Sequence, residues 1–99
     1  DVGPSVVRER NALGRDGVVV VSLALDSNGR LLDDPEILTR GFIYKHDADE
    51  LMEEVASQVI DAVEQGRGDI HKDVVQRVRS FLYKETKRRP QVFVTLSWV

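Results

Sequence analysis

The feature that most constrains this chain is the run Val18-Val19-Val20-Val21-Ser22-Leu23-Ala24-Leu25. Branching at Cβ stiffens valine's side chain and suits it to a pleated surface, and a run of this length between turn residues reads as a strand. Its alternation separates a bulkier side, Val19, Val21, Leu23 and Leu25, from a second side, Val18, Val20, Ser22 and Ala24, that is still half apolar. Asp16-Gly17 precedes the strand and Ser27-Asn28-Gly29-Arg30 follows it. Asn-Gly tolerates the positive φ of a tight hairpin, so the next strand is expected to run antiparallel to the first. Asp33-Asp34-Pro35 interrupts the return, because proline offers no ladder donor, and places the main second strand at residues 36–44.

After these strands the hydrophobic period lengthens. Asp47 with Glu50 resembles a capping box, and Leu51, Val55, Val59, Ala62 and Val63 recur on one face of a helix. Gly66-Arg67-Gly68 breaks that helix, and Asp69 caps a second one carrying Ile70, Val74, Val78, Phe81 and Leu82, which Pro90 is expected to end. Val92, Val94, Leu96 and Trp98 then alternate with Phe93, Thr95, Ser97 and Val99 as in a strand. Residues 4–13 form an amphipathic mixture with proline near the start, which suits a short helix.

The order α-β-β-α-α-β predicts an α+β fold. It is a two-layer sandwich in which a three-stranded mixed or antiparallel sheet carries two long helices on one face. A single domain is expected over residues 1–99, with an N-terminal helix and linker at 1–16 and the α/β core at 17–99. A core of this size is thin and favours a shallow binding surface over an enclosed active site.

The chain has no cysteine, which excludes disulfides, thiolate metal sites and a cysteine nucleophile, and suits a reducing cytoplasm. Its longest apolar run is far short of the roughly 20 residues of a membrane helix, so a soluble cytoplasmic protein with no membrane partner is expected. His46 and His71 have no metal-ligand spacing, and Asp33, Asp34 and Glu36 fall short of a calcium loop. Gly66-Arg67-Gly68 lacks the ending of a phosphate loop, and no serine sits in a nucleophile elbow. No catalytic residue, cofactor-binding residue or metal ligand is therefore assigned within the chain.

Two binding surfaces remain. If both helices cover the bulkier strand faces, Val18, Val20, Phe93 and Val99 form an apolar sheet face suited to burial against another subunit or domain. The alternative is an ordinary sheet face shielded by the N-terminal helix. Net charge is −3, yet residues 47–64 hold seven acidic and no basic side chains, while residues 77–89 hold six basic and one acidic. Arg77, Arg79, Lys84, Lys87, Arg88 and Arg89 are suited to phosphate contact with RNA. Cations at a helix C-terminus also stabilise it locally, by about 0.3–1 kcal/mol each, which is the competing reading. Phe42 and Tyr44 fall on one side of the second strand and are read as packing residues, without a base-stacking pair.

Three pieces, in order, carry a family resemblance: Val18–Leu25 after Asp16-Gly17, then Arg40-Gly41-Phe42-Ile43-Tyr44, then Phe81-Leu82-Tyr83-Lys84 leading to Thr86-Lys87-Arg88-Arg89-Pro90. Together with Asp1-Val2-Gly3 and Val7-Arg8-Glu9-Arg10, they make nearly the whole chain similar to the C-terminal domain of bacterial ribonuclease J. The resemblance implies a fragment of a larger metallo-β-lactamase and β-CASP enzyme that cleaves RNA exonucleolytically from the 5′ end and also endonucleolytically, acting in RNA processing and decay. Zinc would belong to the absent catalytic domain, since no position here matches that family's H-x-H-x-D-H ligand motif. The implied role is non-catalytic assembly, with the enzyme's own catalytic core or a second protomer as partner and RNA met through the parent enzyme. Docking of other RNA-decay proteins on a strand edge is a further possibility. One departure is Gln91-Val92-Phe93-Val94-Thr95, where many relatives carry a second proline.

Overall fold

A computed structural model describes residues 16–42, 48–66 and 68–99. In chain order the elements are β1 (Val18–Leu25), β2 (Glu36–Arg40), α1 (Ala48–Gln65), α2 (Ile70–Thr86) and β3 (Gln91–Trp98). The three strands form one sheet in the order β2-β1-β3, with β1 antiparallel to β2 and parallel to β3. This is the expected α+β sandwich, and its sheet is mixed. The helix expected at residues 4–13, and the Asp47 end of the expected capping box, lie outside the described residues.

β1 is central because it alone is apolar enough to be hydrogen-bonded on both edges and packed on its bulkier face. Val19, Val21 and Leu25 are fully buried and Leu23 nearly so. Across the sheet, Val92, Val94 and Leu96 of β3 and Ile37 of β2 share that face. The helices close it with the residues their spacing predicted: Leu51, Val55, Val59, Ala62 and Val63 from α1, and Val74, Val78 and Leu82 from α2. Each fully buried valine or leucine contributes about 1.5–3 kcal/mol relative to exposure, so this seam is the main source of stability. Ile70 and Phe81 are half-buried at its margin.

The local signals act largely as read. Asp26 forms the turn after β1, its carboxylate accepting from the N–H groups of Asn28 at 2.8 Å and Arg30 at 3.0 Å. The Arg30 N–H, above all, holds this carboxyl below its ordinary range. The returning chain pairs only through the Leu25–Leu31 bridge before Asp33-Asp34-Pro35 interrupts it. Asp69 caps α2 by accepting from the Lys72 N–H at 3.2 Å.

Two expectations change. β2 covers Glu36–Arg40 and ends at Gly41, short of the expected residue 44; residues 43–47 lie outside the described residues. It ends there because the backbones of Gly17 and Gly41 meet: a Cβ on Gly17 would come within 2.5 Å of the Gly41 carbonyl carbon and the Phe42 nitrogen. α2 is also not ended by Pro90. Lys87 takes the left-handed conformation, φ 60°, and returns its N–H to the Tyr83 carbonyl at 2.8 Å, while Pro90 is buried just before β3. The left-handed cap satisfies a terminal carbonyl of α2.

Two stability outcomes follow from this geometry and are measured by urea unfolding. Gly17→Ala, which combines φ +84° with a backbone clash, is expected to cost about 3 kcal/mol or more. Lys87→Gly is expected to raise stability by about 0.5–1 kcal/mol, because glycine adopts the cap conformation without strain.

Candidate functional site

The sheet has one face turned away from α1 and α2, and its composition follows from strand register. Val18 stands between Arg40 and Gln91, Val20 between Leu38 and Phe93, and Ser22 between Glu36 and Thr95. The middle row is entirely apolar, with Leu38 66% exposed and Phe93 50% exposed on either side of the half-buried Val20. A charged or polar pair flanks it in each neighbouring row. On one of these the Thr95 hydroxyl donates to Ser22 Oγ at 3.0 Å. Val18, Val20 and Phe93 are thus brought together as expected. Val99 is not: it lies past the end of β3, 80% exposed, about 20 Å along the strand from Phe93. Leu38 takes its place. Sequence reading missed Leu38 because cross-strand partners depend on a register that the interrupted hairpin conceals.

The basic residues of α2 divide into two sets. Arg77 faces α1, where its guanidinium donates to Asp61 Oδ2 at 2.7 Å, Gln65 Oε1 at 3.0 Å and Gln58 Oε1 at 3.2 Å. Gln65 in turn donates to the same Asp61 oxygen at 3.0 Å. Arg77 is therefore an interhelical brace and is removed from the candidate RNA-contact set. Of the remaining cations, Arg79, Lys87 and Arg89 lie beside Tyr83, which is 41% exposed. The Arg89 guanidinium lies 4.7 Å from the ring centroid and the Lys87 ammonium 5.2 Å from it. Both are attracted by the negative ring face, an effect worth about 0.5–1 kcal/mol at an exposed site.

Arg89 is further anchored by its backbone N–H, which donates to Asp16 Oδ2 at 3.0 Å. The Arg88 N–H donates to the Thr86 hydroxyl, which itself donates to the Leu82 carbonyl. Arg79, Tyr83, Arg89 and Pro90 line a shallow concavity of about 460 Å³. Lys84 is exposed on the same helix. Sequence reading missed Tyr83 as a functional candidate, because the two cations reach its ring only once the chain has turned at the left-handed Lys87.

His71 is exposed in the first turn of α2, and Asp33, Asp34 and Glu36 are exposed around the chain's entry to β2; His46 and Tyr44 lie outside the described residues. Phe42 packs against the core. Among the described residues, no group of three histidine, aspartate or glutamate side chains is placed to hold a metal ion, and no helix is long and apolar enough to cross a membrane.

The family model described as the ribonuclease J C-terminal domain matches residues 5–99. Ribonuclease J 2 of Staphylococcus epidermidis is 33% identical over 105 aligned residues, covering 98% of this chain. Ribonuclease J 2 of Staphylococcus aureus is 32% identical over the same share. The chain spans 19% of the length of these relatives. With a family match over nearly its full length and these two relatives, the chain belongs to the ribonuclease J C-terminal domain family.

Proposed function

We propose that this domain is a non-catalytic assembly module of a ribonuclease J-like enzyme acting in RNA processing and decay. In this reading its sheet face packs on a second protomer or on the enzyme's catalytic core. One observation carries the reading: the apolar row Leu38, Val20 and Phe93 crosses all three strands on the face that α1 and α2 leave open. Burying such a row removes apolar area from water, while the Arg40, Gln91, Glu36 and Thr95 rows supply the polar rim that protein interfaces carry. Catalysis, with its zinc, belongs in this reading to the part of the parent enzyme outside this chain. The cytoplasm is the proposed compartment, where cysteine-free RNA-processing domains fold without disulfides.

A second reading, accessory contact with RNA, is favoured by the pairing of Lys87 and Arg89 on Tyr83. Two cations held over one ring present concentrated positive charge with little freedom left to lose on meeting a phosphate backbone. Arg79, Lys84 and Arg88 extend that charge along the helix end. Docking of other RNA-decay proteins remains part of the proposal as a strand-edge mode.

Sedimentation equilibrium, alone and with a separately produced catalytic core, tests the first reading. Phe93→Asp is expected to weaken association at least about tenfold while changing unfolding free energy by under about 1 kcal/mol; unchanged association would refute the proposed face. For the second reading, RNA binding is titrated against salt. Lys84→Ala and Arg89→Ala should each lower the salt slope by about one, and Arg77→Ala should leave it unchanged. Absence of RNA binding at low salt would eliminate this reading.

A further inference from the structure

The two edges of the sheet are built differently. β2 is a short edge: five residues, preceded by Pro35 and carrying Glu36 and Arg40, features that discourage strand addition. β3 runs for eight residues in unbroken register with β1, and Gln91-Val92-Phe93-Val94-Thr95-Leu96-Ser97-Trp98 contains no charge and no proline. Among the described residues, no strand pairs its outer edge.

The direction of each backbone group on β3 follows from its ends. The Gln91 N–H donates to the Gly17 carbonyl at 3.0 Å and the Val99 N–H to the Leu25 carbonyl at 2.9 Å, so the odd-numbered residues turn their N–H and C=O groups toward β1. The even-numbered ones, Val92, Val94, Leu96 and Trp98, turn theirs outward. A polar backbone edge of this length, with no side-chain device to protect it, is a template for another strand.

We infer that the outer edge of β3 pairs antiparallel with β3 of a second copy about a two-fold axis at Thr95, giving a continuous six-stranded sheet. This rests on the assembly reading and specifies its partner and geometry. Only the Thr95-centred register pairs all four outward-facing residues, Val92 with Trp98 of the second copy and Val94 with Leu96 of the second copy. Centring on Val94 or Leu96 leaves one of the four unpaired. The Thr95 register also answers an otherwise unexplained exposure. Trp98 lies on the helix-facing side of the sheet, in register with the fully buried Leu25, yet on this edge strand it is 59% exposed. Pairing sets its ring beside Val92 of the second copy, while Phe93 on the open face meets Ser97 of that copy. A second copy is the favoured occupant because the strand is uncharged, so two identical edges meet without like-charge repulsion, and a two-fold axis makes the surface complementary to itself.

Three variants of the 99-residue chain test this. The chain has no cysteine, so Thr95→Cys supplies a single thiol located on the axis. Directly opposed non-hydrogen-bonded residues lie about 4.5 Å apart at Cα, within disulfide range, and mild oxidation is expected to yield a covalent dimer. Ser97→Cys is the control: its own copy lies about 13 Å away, so it should stay monomeric on a denaturing gel. Trp98→Pro deletes an outward N–H in each copy, away from the open face, and is expected to raise the dimer dissociation constant about tenfold or more. Circular dichroism verifies that each variant is folded. A dimer that Phe93→Asp abolishes but Thr95→Cys fails to cross-link would keep the assembly function and overturn edge pairing. Capture of another strand-donating protein without self-association, or a monomer at every concentration, would overturn it as well.

Discussion

Everything in this structure depends on β1 being hydrogen-bonded along both edges while its bulkier face is sealed by two helices. One neighbour, β2, is local and antiparallel, reached through a turn that Asp26 closes. The other, β3, is parallel and arrives only after both helices have formed the layer above. Because β1 stands in the middle, its alternation decides which face of every strand is core. Val19, Val21, Leu23 and Leu25 force Ile37, Val92, Val94 and Leu96 to the helix side, and their neighbours in sequence are then committed to the opposite face.

That commitment also decides what the candidate binding surfaces contain. The row Leu38, Val20 and Phe93 stands on the open face because the core took the alternate residues, which leaves Leu38 and Phe93 exposed. The sheet edges differ for a related reason. β2 is cut short where Gly17 and Gly41 touch, whereas β3 can run the full length of β1. At the far end of α2, the strained Lys87 cap folds the chain back so that Arg89 reaches the Tyr83 ring. The Arg40-Gly41-Phe42 and Lys87-to-Pro90 segments that carry the family resemblance thus have structural work of their own. One closes β2 against the start of β1, and the other reverses the chain from α2 into β3.

Most of the fold was legible because its signals are local. Leu51, Val55 and Val59, and Val74, Val78 and Leu82, sit at a spacing only a helix can bury on one side, and every one is in the core. The valine run declared β1 in the same way. Where reading fell short, the deciding contact joins residues far apart in sequence. Arg77 looked like a free cation until α1 supplied Asp61, Gln58 and Gln65 beside it. The end of β2 required Gly17 to meet Gly41, and Leu38 became part of the open face only through its register with Val20.

The sequence by itself determined the strands and long helices and the buried side of each, which follow from periodicity, capping and composition acting over a few residues, while its quoted motifs carried the family resemblance. Only the tertiary structure decided the strand order β2-β1-β3, the parallel pairing of β3, which cations are already spoken for, and which backbone groups face an open edge. Such properties depend on how elements separated by tens of residues settle against one another, and many loop paths join the same elements with nearly equal local energy. Burial of the β1 face against both helices selects among them, and that selection is made by the folded core as a whole.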